Sequence, residues 1–120
     1  MTRKVGEINQ RVIDLLDLDV EAGTPIFTGK SNIIHMQKNH AQDYKAYRKY
    51  IPTIIESPDY VGINPKDDSI EYVKIFQIDG NFVKVAVRVS DGGSFYARTI
   101  YARELDKLEK FIESGNMIKY

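Results

Sequence analysis

The two histidines of the chain, His35 and His40, lie five residues apart in a lysine-rich segment with the sequence NIIHMQKNH. Histidine titrates near neutral pH and can take or give a proton, which makes the pair candidates for acid–base chemistry. A metal site is disfavoured, because side chains at i and i+5 of one helix diverge by roughly 140° and the chain has no cysteine. No metal or other cofactor is therefore predicted, and a structural role stays open for either histidine singly.

Cleavage of RNA without a metal ion needs a base for the 2′-hydroxyl, an acid for the leaving 5′-oxygen and cations for the charge that builds up on the phosphate. The two histidines together with Lys74, Arg88 and Arg98 would supply these groups. The sequence does not by itself show that they converge. It contains no Gly-x-Ser-x-Gly, Walker or Gly-x-Gly-x-x-Gly motif, so a serine hydrolase or a nucleotide-binding loop is unsupported.

Composition is that of a single globular domain. The 120 residues predict one domain over the whole length, and 42% hydrophobic residues can fill one core. Seventeen basic residues balance seventeen acidic ones, which argues against a generic nucleic-acid coat protein. No apolar run is long enough for a membrane span and the N-terminus lacks a secretory signal. We therefore expect a cytoplasmic protein, or a domain of a larger one, without a membrane partner.

The charges are unevenly distributed along the chain. Residues 28–50 carry five cations and one acid, residues 56–80 carry two cations and six acids, and residues 81–101 carry three cations and one acid. The basic stretches are therefore the histidine segment and one later segment. Segregation of this kind is also common by chance.

Hydrophobic periodicity changes from helical to alternating at Pro58. Before Pro58, apolar spacing predicts helices over about residues 3–18, 31–38 and 43–50, one more turn after Pro52, and a short extended piece at Ile26 and Phe27. After Pro58, alternation predicts four strands, DYVGI, SIEYVKIFQI, NFVKVAVRV and SFYARTIY, then a helix over residues 103–114 and a short extended MIKY. The predicted fold is α+β, with N-terminal helices packed on a four-stranded antiparallel meander sheet and a C-terminal helix.

Alternation within the strands assigns side chains to two faces of the sheet. Four valines of the third strand mark the core face: Val83, Val85, Val87 and Val89. Val73 and Ile75 are expected to join them. The opposite, open face would carry cations and apolar or aromatic residues: Tyr72, Lys74, Phe76, Lys84, Arg88, Tyr96, Arg98 and Ile100. Cations interleaved with aromatic rings suit phosphate contacts and base stacking, and the alternative is a face that is simply solvated.

Five motifs, in order, resemble those of a known family: HMQKNH, YIPTIIESPDYVG, SIEYVKIF, VKVAVRVS and FYARTIY. They are similar to the phage-associated nuclease domains of the barnase–EndoU–colicin E5/D–RelE-like group, and in particular to its third phage-type subfamily. The resemblance covers roughly residues 26–120 and leaves residues 1–25 as an N-terminal helix and linker.

The resemblance implies a metal-independent endoribonuclease that cleaves RNA, with tRNA as one candidate target, by acid–base catalysis to a 2′,3′-cyclic phosphate. Such domains occur in phage proteins, mobile elements and bacterial toxins. The resemblance therefore implies RNA as the substrate, and it is consistent with an immunity or antitoxin protein as a partner and with delivery into the cytoplasm of a target cell.

The resemblance also assigns roles to residues of this chain. Active sites of the family combine a histidine or basic residue from the N-terminal helices with Arg or Lys and Ser or Thr from the sheet. The expected catalytic residues are His35, His40, Arg88 and Thr99. The expected substrate-binding residues are Lys38, Lys74, Arg98, Tyr72, Tyr96 and Tyr101. Simple alternation puts Thr99 and Tyr101 on the core face and Arg98 on the open face. A β-bulge after Ala97, or a site at the end of the strand, would reconcile Arg98 with Thr99; otherwise one of the two is structural.

Two other functions stay open. A non-catalytic RNA-binding or protein-binding module on the same fold fits the neutral net charge. A small immunity or antitoxin protein would need a strongly acidic patch, for which the acids of residues 56–79 are the candidates. A basic cleft that holds both histidines would favour the nuclease, whereas a flat acidic patch would favour the inhibitor.

Overall fold

The structure, a computed structural model, describes residues 2–120 as an α+β fold built on one seven-stranded sheet. The elements in chain order are β1 (Arg3–Ile8), α1 (Gln10–Leu16), β2 (Thr24–Thr28), α2 (Lys30–Asn39), α3 (Ala41–Tyr47), α4 (Ile51–Glu56), β3 (Tyr60–Ile63), β4 (Ile70–Phe76), β5 (Asn81–Val89), β6 (Phe95–Glu104), α5 (Leu108–Gly115) and β7 (Ile118–Lys119). Single 3-10 turns lie at Arg48–Tyr50, Gln77–Asp79 and Leu105–Lys107. Strands thus occur at both ends of the chain and not only after Pro58.

The strands follow one another across the sheet in the order β1-β2-β6-β5-β4-β3-β7. β2 and β6 are parallel, and the other neighbouring pairs are antiparallel. The prediction of a four-stranded antiparallel meander behind N-terminal helices is therefore wrong. The four predicted strands form the centre of a larger mixed sheet, which β1 and β2 extend on one side and β7 on the other. The extended pieces predicted at Ile26 and Phe27 and at MIKY are present as β2 and β7, but a local pattern does not reveal that they pair with the sheet.

Residues 3–8 form a strand where the sequence predicts the start of a helix. The apolar residues of this segment have helical spacing with Val12, yet β1 pairs with β2 along its length. The helix begins only after Asn9, whose side-chain oxygen accepts a hydrogen bond from the N–H of Val12 at 2.9 Å. Gly6 suits the strand, because a Cβ there would lie 2.8 Å from Ile55 Cγ2 on α4. Packing and pairing decide between two structures that a short apolar pattern leaves equally plausible.

The main core lies between one face of the sheet and helices α1 to α4. Val83, Val85 and Val87 are fully buried in it, as predicted, whereas the fourth predicted valine, Val89, is exposed at the end of β5 and is not part of the core. Tyr72 shares their face because it pairs with Val85, whereas Val73 pairs with Lys84 on the other face. The predicted faces of β4 are therefore inverted. Tyr72, Lys74 and Phe76 are on the side of the main core, and Val73 and Ile75 are on the opposite side.

A smaller core explains the inversion. Val73 and Phe82 pack on the second face of the sheet with Met117 and with Phe111 of α5. Because β4 is covered on both faces, its hydrophobic residues do not reveal which face meets the main core. α5 covers only one end of this second face. The other end, which begins at Lys84 beside Phe111 of α5 and extends to Arg88, opens into a pocket.

The helices are short. The longest, α2, has ten residues, and none within residues 2–120 is long and apolar enough to cross a membrane. Both α2 and α3 contact β6, where the Asp43 carboxylate accepts a hydrogen bond from the N–H of Ala102 at 3.0 Å. These contacts place the histidine segment beside the pocket end of the sheet.

Candidate active site

A β-bulge in β6 determines which side chains face the pocket. In the pairing of β5 with β6, Ala86 lies opposite Thr99 and Val87 opposite Ala97, so Arg98 is an extra residue without a partner. Beyond such a bulge the alternation of the strand shifts by one residue. The bulge that would reconcile Arg98 with Thr99 is thus present.

The bulge overturns the face assignment made by simple alternation for the rest of β6. Thr99 and Tyr101 turn to the second face, where Tyr101 pairs with Lys84. Ile100 instead enters the main core and is fully buried. The predicted placement of Thr99 and Tyr101 in the core and of Ile100 on the open face is therefore wrong.

The pocket on the second face, which we call the His35 pocket, has a volume of about 250 Å³. Three structural units supply its walls. Strands β4 to β6 and helix α2 contribute Glu71, Lys84, Ala86, Arg88, Arg98, Thr99 and His35, and the β3–β4 loop contributes Asn64, Asp67 and Ser69. Three cations and two carboxylates therefore surround one imidazole and two hydroxyls. These groups can hold an anion and exchange a proton with it.

His35 is exposed on α2, and its ring is oriented by Asn39. The amide nitrogen of Asn39 lies 3.1 Å from His35 Nδ1 and also donates to the carbonyl oxygen of His35 at 3.1 Å. With Nδ1 accepting, the neutral ring carries its proton on Nε2. A ring that takes up a second proton needs an acceptor at Nδ1, and the Asn39 amide can present its oxygen there by rotating.

Lys84 is held at the base of the pocket by Glu71. The Lys84 ammonium lies 2.9 Å from Glu71 Oε2, with only 13% and 7% of the two side chains exposed. Asn64 donates to the same carboxylate oxygen at 3.4 Å, and the ammonium lies 4.4 Å from the centre of the Tyr101 ring. A charge pair this buried requires such additional partners. The arrangement fixes one positive charge in place before any ligand binds.

Arg88 is held more loosely. Its guanidinium lies 3.5 Å from Asp67, and both side chains are more than a third exposed, so the pair is weak and a bound anion can compete for the arginine. Asp67 accepts a hydrogen bond from the N–H of Ser69 at 3.0 Å. That hydrogen bond holds the pKa of Asp67 below its ordinary value of 3.8, and the charges of Arg88 and Lys84 act in the same direction.

His40 lies outside the His35 pocket. It occupies the junction between α2 and α3, where its ring stacks on Tyr101 with centroids 6.0 Å apart. Tyr101 in turn contacts Lys84. The structure therefore brings His35, Arg88, Arg98 and Thr99 together, and it connects His40 to them only through Tyr101 and Lys84.

The remaining predicted binding residues are dispersed. Lys74 donates to the carbonyl oxygen of Ser57 at 2.6 Å on the other side of the sheet, and Lys38 is exposed in the last turn of α2. Tyr72 is fully buried, and its hydroxyl has no hydrogen-bond partner. Tyr96 lines a neighbouring cavity that also includes Arg98. Only Arg98 of the predicted binding set lines the His35 pocket, and Tyr101 borders it through Lys84.

Six residues of the pocket are not among the predicted site residues: Asn64, Asp67, Ser69, Glu71, Lys84 and Ala86. Alternation assigns Lys84 to the open face, four residues before Arg88 on the same strand, and so gives a signal for it. Glu71 had no such signal, because its position beside Lys84 follows from the register of β4 with β5, in which Val73 pairs with Lys84. A register between strands is not visible in one sequence.

The two histidines lie in different surroundings. His35 lines the pocket, and His40 stacks on an aromatic ring. Across residues 2–120, no three side chains of His, Cys, Asp or Glu are grouped so that they could hold a metal ion.

Comparison with known proteins gives one match. The model of a family described as phage-Barnase-EndoU-ColicinE5/D-RelE like nuclease3 matches residues 3–110. This range contains β1 to β6 and every residue that lines the His35 pocket. Searches of curated proteins and of solved structures give no match.

Proposed function

The chain belongs to the phage-Barnase-EndoU-ColicinE5/D-RelE like nuclease3 family, and from this premise we propose that it is an endoribonuclease that cleaves RNA in the His35 pocket. One observation carries the proposal: His35, Arg88 and Thr99 line a single space together with Lys84 and Arg98. The family supplies the reaction class, and the pocket offers a proton-transfer group beside a cationic wall.

The proposed reaction uses the 2′-hydroxyl of RNA as the nucleophile. When the Asn39 amide has rotated so that its oxygen accepts from Nδ1–H, the neutral ring carries its proton on Nδ1 and His35 takes the proton of the 2′-hydroxyl at Nε2. The bond from O2′ to phosphorus forms as the bond from phosphorus to O5′ breaks, and the leaving oxygen takes a proton from water. The products are a 2′,3′-cyclic phosphate and a 5′-hydroxyl. Supporting this assignment, His35 is the histidine that lines the pocket.

The cations of the pocket would stabilise the charge that develops on the phosphate. Lys84 is fixed by Glu71 and needs no rearrangement, and Arg88 can exchange its weak pair with Asp67 for a phosphate oxygen. Thr99 offers a hydroxyl as a further hydrogen-bond donor. Prearranged donors of this kind account for much of the rate acceleration in enzymes. We therefore propose that cleavage requires no metal ion.

His40 is proposed to act as a positioning residue. Its ring stacks on Tyr101, and Tyr101 lies against the Lys84 ammonium. Loss of the His40 ring would leave Tyr101 less firmly held, and Lys84 would then be less firmly positioned. A phage-associated or toxin-like protein with RNA as its partner fits this site, and an immunity or antitoxin partner would have to present acidic groups to it.

A non-catalytic RNA-binding or protein-binding module is the second candidate. The formal net charge of zero favours it, because a surface that binds RNA by charge alone usually carries an excess of cations. Binding without cleavage would support this alternative.

The inhibitor alternative has less support. Of the acids in residues 56–79, Asp59 accepts a hydrogen bond from the N–H of Ile75 at 2.7 Å, and Asp79 accepts one from the Tyr47 hydroxyl at 2.9 Å. Glu71 and Asp67 are engaged with the cations of the His35 pocket. Acids used in internal contacts do not form a flat acidic surface.

The choice of nucleophile is directly testable. A short fluorescent RNA and a copy with a single 2′-deoxynucleotide at the cleaved position would be incubated with the purified protein. Cleavage of the first and survival of the second is the expected result. Equal cleavage of both would contradict the 2′-hydroxyl mechanism, and cleavage of neither, with retained binding, would favour the binding module.

A further inference from the structure

A second cavity, which we call the basic groove, lies where β1, α2, α3 and α4 meet. Its volume is about 500 Å³, twice that of the His35 pocket. Five cations line it and no acid does: Arg3, Lys4, Lys45, Arg48 and Lys49. Apolar side chains such as Ile33, Met36 and Ile51 complete the lining. A cavity with cations and apolar walls suits a ligand that carries both phosphates and flat rings.

A third cavity of about 400 Å³, which we call the neck, is lined by residues that belong to or directly adjoin the linings of the other two cavities. Arg98 lines both the neck and the His35 pocket. Three residues that line the neck are each next in the chain to a residue that lines the groove. With the neck residue given first, the pairs are Thr2 and Arg3, Gly29 and Thr28, and Asn32 and Ile33. Neighbouring residues in a chain have Cα atoms about 3.8 Å apart, so the linings of the two cavities come close together at these three points.

Helix α2 lines all three cavities, with His35 in the pocket, residues 30–32 in the neck, and Ile33 and Met36 in the groove. Cations occur in all three cavities, with Arg88 and Arg98 in the pocket, Lys30 in the neck and the five cations of the groove. We infer that the neck and the basic groove are a binding track for a single RNA strand, which holds nucleotides outside the cleaved step. The identity of the strand as RNA rests on the proposed function.

The groove cations are available for phosphates. Arg3, Lys45 and Arg48 are exposed, and among residues 2–120 none of them takes part in an ion pair or a cation–π contact. Lys4 differs, because its ammonium lies 2.7 Å from Glu7. Free exposed cations contribute to RNA affinity through the counterions that the RNA releases, and this contribution depends on salt.

The test compares two triple variants of the full chain. The first, Arg3→Ala, Lys45→Ala and Arg48→Ala, removes the three free cations of the groove. The matched control removes three exposed lysines that line none of the three cavities: Lys107, Lys110 and Lys119. Both variants lose the same charge, and a thermal melt establishes that both are folded.

Binding would be measured by fluorescence anisotropy with a 2′-O-methyl dinucleotide and a long 2′-O-methyl oligonucleotide, neither of which can be cleaved through a 2′-hydroxyl. Salt would be varied in each titration. For the groove variant, affinity for the long strand should fall at least about tenfold at low salt. The slope of log affinity against log salt should become shallower by about 2, or about 0.7 for each of three lost phosphate contacts. Dinucleotide affinity should change no more than in the control.

The outcomes separate this inference from the proposed function. Equal binding of the long strand by the groove variant and the control would overturn the track, even if the protein cleaves RNA. Binding of the long strand through the groove by a protein that cleaves no RNA would support the track and contradict the endoribonuclease. Failure of the unmodified protein to bind the long strand, with tight binding of polyglutamate instead, would assign the groove to an acidic protein partner and overturn the inference.

Discussion

Arg98 and Thr99 follow one another in β6, yet both line the His35 pocket, because Arg98 is the extra residue of a β-bulge. Consecutive residues of a regular strand point to opposite faces. Here the irregular backbone delivers a guanidinium and a hydroxyl to the same space. Bulges are frequent next to active sites because they redirect side chains in this way.

The Thr99 hydroxyl can be tested by a substitution that keeps the shape of the side chain. Thr99→Val should reduce kcat/KM for RNA by about 10- to 100-fold, which corresponds to one hydrogen bond to a charged group. Thr99→Ser keeps the hydroxyl and should retain most of the activity. If the valine variant were as active as the serine variant, the hydroxyl would have no part in the reaction.

Asn39 should control the proton on His35. Asn39→Leu removes the partner of Nδ1 and should lower the rate, whereas Asn39→Asp supplies a charged acceptor. A negative charge favours the protonated ring. In the aspartate variant, the part of the pH–rate profile in which activity rises with pH should therefore shift to higher pH by about one pH unit. An unshifted profile in that variant would show that the titrating group is not His35.

Tyr72 should behave as a core residue and not as part of an RNA surface. Its hydroxyl is buried without a partner, and burial raises its pKa far above the ordinary value. Tyr72→Phe removes an unpaired polar group and should stabilise the fold by about 1 kcal/mol, a rise in Tm of about 4 °C, with RNA affinity unchanged.

A second tyrosine provides the control for this experiment. The Tyr47 hydroxyl donates to Asp79 at 2.9 Å and accepts from Asn81 at 3.1 Å, so Tyr47→Phe should lower the Tm. A fall in Tm in both variants would mean that Tyr72 has a partner in solution.

Asp67 should make the stability of the fold depend on acid pH. The folded protein lowers the pKa of Asp67, so this carboxylate stabilises the fold above its ordinary pKa of 3.8 and loses that contribution as pH falls through the lower folded value. The Tm advantage of the unmodified protein over Asp67→Asn should therefore shrink as pH falls below about 4. The Arg88→Met variant should keep most of this pH dependence, because the hydrogen bond from Ser69 is the largest cause of the lowered pKa of Asp67. A Tm difference that is constant with pH would contradict this account.

The sequence predicted the elements whose signals are local. Alternation located β3 to β6, and the burial of Val83, Val85 and Val87 is confirmed. The helix after the sheet and the short extended end are also present as α5 and β7. Turns marked by glycine and alternation within a strand produce patterns that one sequence can reveal.

The features that the sequence could not predict depend on contacts between distant segments. β1 is a strand because β2 pairs with it and α4 packs on it. The register of β4 with β5 determines which side chains of β4 lie on each face of the sheet. The bulge in β6 determines that Thr99 lies on the second face. Within the candidate site, alternation alone correctly placed Arg88 and Arg98 on one face, but it gave no signal for Glu71.

The most direct test of the central claim measures cleavage of total RNA and of a defined oligonucleotide in the presence of EDTA. We expect the unmodified protein to cleave both and to leave a 2′,3′-cyclic phosphate, detected by mass spectrometry. His35→Ala should be slower by about 10² to 10⁴ while remaining folded, as expected for loss of a general base. Lys38→Ala, on the same helix but outside the pocket, is the matched control and should lose far less. Full activity of His35→Ala, or complete loss of cleavage in EDTA, would contradict the account.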